Sequence, residues 1–172
     1  KIRTCKNNCN KKRKMIVRPD YKAKTVFEIN YDKLKEDGIK TIAFDLDSTV
    51  MKSKSGVFAE ETLQLFDNLK KDFSIVIISN NSNLDYINKV ITQTDIPMLF
   101  HAKKPLTKVA KEFLNENNVD KKSMVMIGDR PLTDILFGKL LGCKTVLVDS
   151  ISWQEEKPIV RFARNLERVF SI

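Results

Sequence analysis

The sequence predicts an α/β fold, a three-layer doubly wound parallel sheet, and three observations carry that prediction. Short apolar runs recur from about residue 40, amphipathic stretches separate them, and polar or acidic residues follow the runs abruptly. The runs lie at 41–46 (TIAFDL), 74–79 (SIVIIS), 97–100 (PMLF), 123–127 (SMVMI) and 144–148 (KTVLV). They are continuously apolar rather than alternating, which is the pattern of strands covered on both faces.

Helical patterns fill the gaps. In 60–70, Leu63, Phe66 and Leu69 recur at three-residue spacing. A second helix is predicted over 83–92. Over 106–115, Val109, Ala110, Phe113 and Leu114 gather on one face. The stretch 131–141 opens on Pro131, which a first helical turn tolerates because the N–H there has no partner anyway. A last helix over 161–170 closes the chain. Strand–helix–strand alternation requires right-handed crossovers, and no repeat or linker divides it. The expectation is a single domain over 15–172, preceded by a basic, disordered or non-native leader over 1–14, with Met15 as a natural start.

Composition bounds the function. The 172 residues fit one domain with one core, and 42% hydrophobic with 31% charged residues makes it globular. The longest apolar runs are too short to cross a bilayer, and no signal peptide is read. Cys5, Cys9 and Cys143 are an odd set that argues against a disulfide framework and fits a reducing cytosol. The formal charge of +9 is local. Residues 1–24 hold ten Lys/Arg against Asp20 alone, and the other 148 residues hold 21 bases and 21 acids. The leader is read as solvated, so a nucleic-acid partner is not expected.

In doubly wound sheets ligands bind at the carboxyl ends of the strands. Here those ends carry Asp45-Leu46-Asp47, Ser79-Asn80-Asn81 and Gly128-Asp129. Carboxylates at i and i+2 of an extended segment point the same way and can share one small site. Such a pair can divide its labour. One acid stays ionised as nucleophile and metal ligand, and the other carries a proton as general acid and base.

Four strings in order then resemble the motifs of haloacid-dehalogenase (HAD) phosphatases. They are Asp45-Leu46-Asp47-Ser48-Thr49 after an apolar strand, Ser79 ending the next, Lys104 in HAKKPL, and Gly128-Asp129 followed by Asp134. More narrowly, Pro19-Asp20, the SNN after the second run, Ala102-Lys103-Lys104-Pro105, Leu132-Thr133-Asp134 and Arg161-Phe162-Ala163-Arg164 are similar to YqeG-like members of subclass IIIA. That group is related to mitochondrial phosphatidylglycerophosphate phosphatases.

The resemblance implies a hydrolase with assigned parts. Asp45 is the nucleophile and Asp47 the acid and base. Ser79, Asn80 and Lys104 bind the phosphate, with Lys103 as the alternative lysine. Mg²⁺ is the implied cofactor, held by Asp45, Asp129 and the Asp47 carbonyl, a hard ion on oxygen ligands. Asp134 stands behind the ligands or caps the following helix. His101 reads as structural or substrate-adjacent, and Cys143 as a small core residue.

A cap domain would be inserted after the first motif or between the second and third, and neither interval is long enough for one. An open site suits a large phosphorylated substrate such as a lipid headgroup on an anionic membrane. Arg161 and Arg164, on a basic amphipathic last helix, could touch that substrate. The reading places the chain in the cytoplasm, peripheral to the inner membrane face, and leaves the oligomeric state open. Three rivals remain: a phosphatase of a soluble metabolite with an oligomer partner as lid, a phospho-accepting receiver module, and a silent RNA- or ribosome-binding scaffold.

Overall fold

The structure, a computed structural model, describes residues 17–154. The leader and the 161–170 segment with Arg161 and Arg164 lie outside the described residues. Six strands form one sheet: β1 (Tyr21–Lys22), β2 (Thr41–Phe44), β3 (Ser74–Ile78), β4 (Met98–Leu99), β5 (Met124–Gly128) and β6 (Lys144–Leu147). Among the described residues, five α-helices accompany them: α1 (Tyr31–Glu36), α2 (Glu60–Leu69), α3 (Leu84–Ile91), α4 (Lys108–Glu116) and α5 (Leu136–Leu141).

The strand order is β1-β6-β5-β2-β3-β4 with every pairing parallel. The chain runs outward from β2 through β3 to β4, then returns to β5 and β6. The reversal therefore falls between the two central strands, β2 and β5, where this architecture opens a crevice.

Alternate residues of each strand face opposite layers, and both layers are apolar. Ile42, Phe44, Ile75, Ile77, Val125 and Ile127 pack toward α1, α2 and α3. Ala43, Val76, Ile78, Met124 and Met126 pack against α4 and α5 through Ala110, Leu114, Phe137 and Leu141. On the first face Phe44, Phe66 and Phe58 stack tilted and edge-on at 5.7 and 5.6 Å. Such pairs add about 1 kcal/mol each beyond burial. This two-sided core makes β2 and β5 a rigid base for whatever follows them.

The sequence reading differs from the structure at the edges. β1 and α1 are not among the predicted elements, and β2 ends at Phe44, two residues before the predicted end at Leu46. The stretch 131–141 is not one helix: Pro131–Ile135 forms a wider π-type turn before α5 begins. Pro131 starts that turn, as expected for a residue without an N–H.

Candidate active site

The crevice is built by the first residues beyond β2, β3 and β5. The backbone N–H of Asp45 donates to the Ile127 carbonyl (2.8 Å), so Asp45 continues the β2–β5 ladder. The chain then reverses tightly. Ser48 adopts φ +68°, its N–H bonds the Met51 carbonyl at 2.7 Å, and Met51 N–H bonds the Leu46 carbonyl at 3.1 Å. That reversal brings the Thr49 hydroxyl back over the strand end, within 3.1 Å of Asp45 Oδ2 and 3.2 Å of Asp129 Oδ1.

Lys104 is buried, and its ammonium donates to Asp45 Oδ1 (2.6 Å) and Asp134 Oδ1 (2.7 Å). Asn80 positions it by a reciprocal pair: Lys104 N–H donates to Asn80 Oδ1 (2.7 Å), and Asn80 Nδ2 donates to the Lys104 carbonyl (3.0 Å). Lys103, one residue earlier, is exposed. Of the two lysines, Lys104 is thus the one brought to the acids.

Carboxylate oxygens of Asp45, Asp129 and Asp134 lie within 4.8 Å of one another. Asp134 reaches this place because residue 128 is glycine. A Cβ there would come within 2.4–2.6 Å of the Asp134 side chain, which real contacts do not allow. Its second oxygen accepts the Arg130 N–H at 3.0 Å, which fixes the carboxylate against the turn. Asp134 therefore stands beside Asp45 and Asp129, with one oxygen on the Lys104 ammonium and the other on the Arg130 N–H.

Burial disfavours charge on both partners of the ion pair. It pushes the Asp45 carboxyl up, with the Lys104 ammonium opposing and Asp134 adding to the rise. Burial also opposes charge on Lys104, but the Asp134 and Asp45 charges outweigh it and hold the lysine protonated. The ammonium is thus fixed as a permanent positive charge beside Asp45.

Asp47 faces a different set of donors. The Tyr86 hydroxyl donates to its Oδ1 (2.7 Å), the Lys54 N–H to the same oxygen (3.2 Å) and Asn81 Nδ2 to Oδ2 (3.2 Å). Tyr86 is aimed by its own helix: Asn83 caps α3 by accepting the Tyr86 N–H at 2.9 Å. Burial and the Asp47 carboxylate both raise the Tyr86 hydroxyl, which keeps it a donor. Ser79 is buried at the crevice, its Oγ accepting the Asn81 N–H at 3.0 Å. The whole cleft encloses about 250 Å³ and is lined by Asp45, Asp47, Ser79, Asn80, Lys104, Asp129 and Asp134, among others.

The structure thus brings together every predicted site residue that it describes. Sequence reasoning assigned no role to Thr49, Asn81 or Tyr86. Thr49 stood in the first motif string and could have been picked from it. Cys143 is buried, with its thiol pushed up to about 12 by desolvation, and belongs to the core as expected. His101 is exposed at φ +52° beside the cleft loop.

The family model described as mitochondrial PGP phosphatase matches residues 3–152. The chain belongs to the mitochondrial PGP phosphatase family. It is 31% identical over 150 residues to the probable phosphatase YqeG of Bacillus subtilis (strain 168), covering 87% of each chain. It is 30% identical over 165 residues to phosphatidylglycerophosphate phosphatase 1 of Arabidopsis thaliana, covering 91% of this chain and 47% of that one. The crystal structure of an uncharacterized protein from Listeria monocytogenes serotype 4b shares the fold, with TM-score 0.54 and 17% identity. That superposition covers 63% of this chain and 78% of the other. As a member of the mitochondrial PGP phosphatase family the chain is a phosphatase. Among the described residues, no helix is long and apolar enough to cross a membrane.

Proposed function

We propose that this phosphatase hydrolyses a phosphomonoester displayed on a membrane, such as phosphatidylglycerophosphate, with Mg²⁺ and through an aspartyl phosphate on Asp45. The observation that carries the mechanism is the place of Asp45. It lies at the strand end over the topological switch, one oxygen on Lys104 and the other on Thr49, with Asp129 and Asp134 beside it.

An Asp45 oxygen attacks phosphorus, and the bond from phosphorus to the leaving oxygen breaks. Asp47, two residues on and facing the same cleft, gives that oxygen its proton. Water then attacks phosphorus, Asp47 takes a proton from it, and the Asp45–phosphorus bond breaks to release phosphate. Lys104 and Ser79 hold the non-bridging oxygens, where negative charge must be carried. The donor set, three carboxylates without a cysteine or histidine, fits a hard divalent ion. Asp45, Asp129 and the Asp47 carbonyl would hold it, with Asp134 available, and the ion would neutralise charge on the phosphoryl group.

Two observations support the substrate. No extra domain stands between β2 and α2 or between β3 and β4, so among the described residues no inserted cap covers the cleft. Phosphatidylglycerophosphate is named for the Arabidopsis relative, and a Saccharomyces cerevisiae relative 28% identical over 143 residues is named a mitochondrial phosphatidylglycerophosphatase. An uncapped site encloses little of a small metabolite, so binding energy must come from a surface that the substrate occupies. The test compares kcat/KM for phosphatidylglycerophosphate in anionic vesicles with that for glucose 6-phosphate and mononucleotides. The lipid should win by about tenfold or more. A soluble metabolite winning by the same margin would overturn the substrate and favour an oligomer partner as lid.

A further inference from the structure

The loop between β2 and α2 carries Asp47 near its start, and α3 holds its far end. Tyr86, Lys89 and Gln93 follow one another at three- and four-residue spacing along α3 and the turn after it, so they share one side. All three reach that loop. The Tyr86 hydroxyl donates to Asp47 Oδ1 (2.7 Å), Lys89 Nζ to the Ser55 carbonyl (3.3 Å) and Gln93 Nε2 to the Gly56 carbonyl (2.8 Å). Gln93 Oε1 accepts the Phe58 N–H (2.9 Å), and its Nε2 also donates to the Lys89 carbonyl in the last turn of α3 (2.7 Å). These partners fix which way round the amide stands, because a carbonyl only accepts and a backbone N–H only donates. One half-buried side chain thus ties the loop to the helix end.

The loop lies flush on α3. Gly56 is buried at φ +65°, and a Cβ there would come within 3.1 Å of the Lys89 stem and 3.5 Å of the Tyr86 ring. Two residues earlier, Lys54 takes φ +63°, a left-handed conformation that a lysine adopts only at a cost. That turn presents the Lys54 N–H to Asp47 Oδ1 (3.2 Å). Backbone strain of this kind persists where the surroundings over-determine it. Here the surroundings are the bonds from Lys89 and Gln93 on one side, and on the other Ser152 Oγ, which accepts the Ser53 N–H (2.8 Å).

We infer that Gln93 is a positioning residue for Asp47. Gln93 is outside the cleft lining and acts through the backbone of residues 54–58. By gripping Gly56 and Phe58 it keeps the Lys54 N–H on Asp47 Oδ1, which aims that carboxyl at the leaving oxygen. Among the described residues no inserted cap closes over the substrate, so the aim is built into the loop beforehand, and a misplacement of about 1 Å would be felt in rate. The inference rests on the reading of Asp47 as the acid and base.

The experiment separates proton transfer from the rest of the reaction. Two substrates are compared by kcat/KM, which covers the steps through departure of the leaving group. Glycerol 3-phosphate has an alkyl leaving oxygen that needs a proton, and p-nitrophenyl phosphate has a leaving group that departs without one. Gln93→Leu removes all three amide bonds, and it should lower kcat/KM for the alkyl phosphate about tenfold more than for the aryl phosphate. Gln93→Glu keeps the acceptor for the Phe58 N–H. Ionised, it sets a negative charge against the Gly56 and Lys89 carbonyls; protonated, it donates to them again. Two facing carbonyls raise that carboxyl above its ordinary value of about 4.3. Its selective loss, relative to wild type at the same pH, should therefore be present at about pH 7.5 and shrink at least about threefold by about pH 5. Where the leucine variant does not fold, this pH series decides alone. Asp47→Asn is the reference, and it should show the same selective loss more strongly. If Asp47→Asn shows it and the Gln93 variants lose both substrates equally, or lose neither, the positioning role is overturned and the Asp47 reading stands. If Asp47→Asn shows no selectivity, the acid assignment fails and this inference fails with it.

Discussion

Lys104 is held from four sides: Asp45 and Asp134 take its ammonium, and Asn80 takes both its N–H and its carbonyl. The cost of burying three acids in one pocket is offset by this fixed cation and by whatever ion joins it. Removing Asp129 should therefore act on metal binding first. We expect Asp129→Ala to raise the Mg²⁺ concentration for half-maximal turnover at least about tenfold, after chelation by EDTA has stopped the wild type. An unchanged Mg²⁺ requirement would take Asp129 out of the ligand set. Tyr86 acts at the other acid. Its hydroxyl bond to Asp47 is worth roughly 1–2 kcal/mol, or about tenfold in rate if it aims the proton. Tyr86→Phe should lower kcat/KM for an alkyl phosphate, whose leaving oxygen needs a proton. It should spare p-nitrophenyl phosphate, whose leaving group does not. Equal loss on both substrates would mean that Tyr86 only holds α3 in place.

Among the elements, β1 shows why part of the fold was not legible. It is two residues long with no apolar run, and it is pinned by side chains rather than by burial. Asp20 Oδ2 accepts from Thr145 N–H (2.8 Å), Thr145 Oγ1 (2.9 Å) and Lys139 Nζ (2.7 Å), tying the chain entry to β6. The Pro19-Asp20 pair stood out in the sequence through resemblance alone; its physical role is this clamp. Strands β2, β3, β5 and β6 were legible because they are covered on both faces and read as unbroken apolar runs. The acid dependence of stability tests the clamp. Burial opposes charge on Asp20, but the Lys139 and Thr145 hydrogen bonds outweigh it and hold the carboxyl below its usual value. A group depressed in the folded state stabilises above its unfolded pKa, about pH 4, and loses that stabilisation as pH falls through the folded value. Asp20→Asn should cost about 1 kcal/mol at neutral pH, since solvent screening limits an exposed clamp, and much less near pH 2. Urea titrations at the two pH values measure the difference, and a cost independent of pH would contradict the assignment.

At the scale of the whole molecule, sheet order decides which residues can meet. Asp45, Ser79, Lys104, Asp129 and Asp134 span 90 positions of sequence, yet parallel strands deliver them to one end of one sheet. Their spacing after apolar runs made that convergence readable, because a strand end fixes where its next residue stands. Tyr86 and Asn81 were not readable in the same way. Their contact with Asp47 depends on where α3 packs against the Asp47 loop, which leaves no mark in local sequence even though the helix start at Asn83 does. The lack of any insertion over the cleft follows from two short intervals, and it turns the question of substrate toward surfaces. All of these inferences meet in Asp45 as the atom donor to phosphorus. The most direct measurement quenches the enzyme during turnover, reduces it with borohydride and maps the peptides by mass. An acyl phosphate on Asp45 would appear as homoserine at position 45, only when substrate is present, and would be absent in Asp45→Asn. Reduction at Asp47 instead, or sustained turnover with no reducible carboxylate at position 45, would contradict the account.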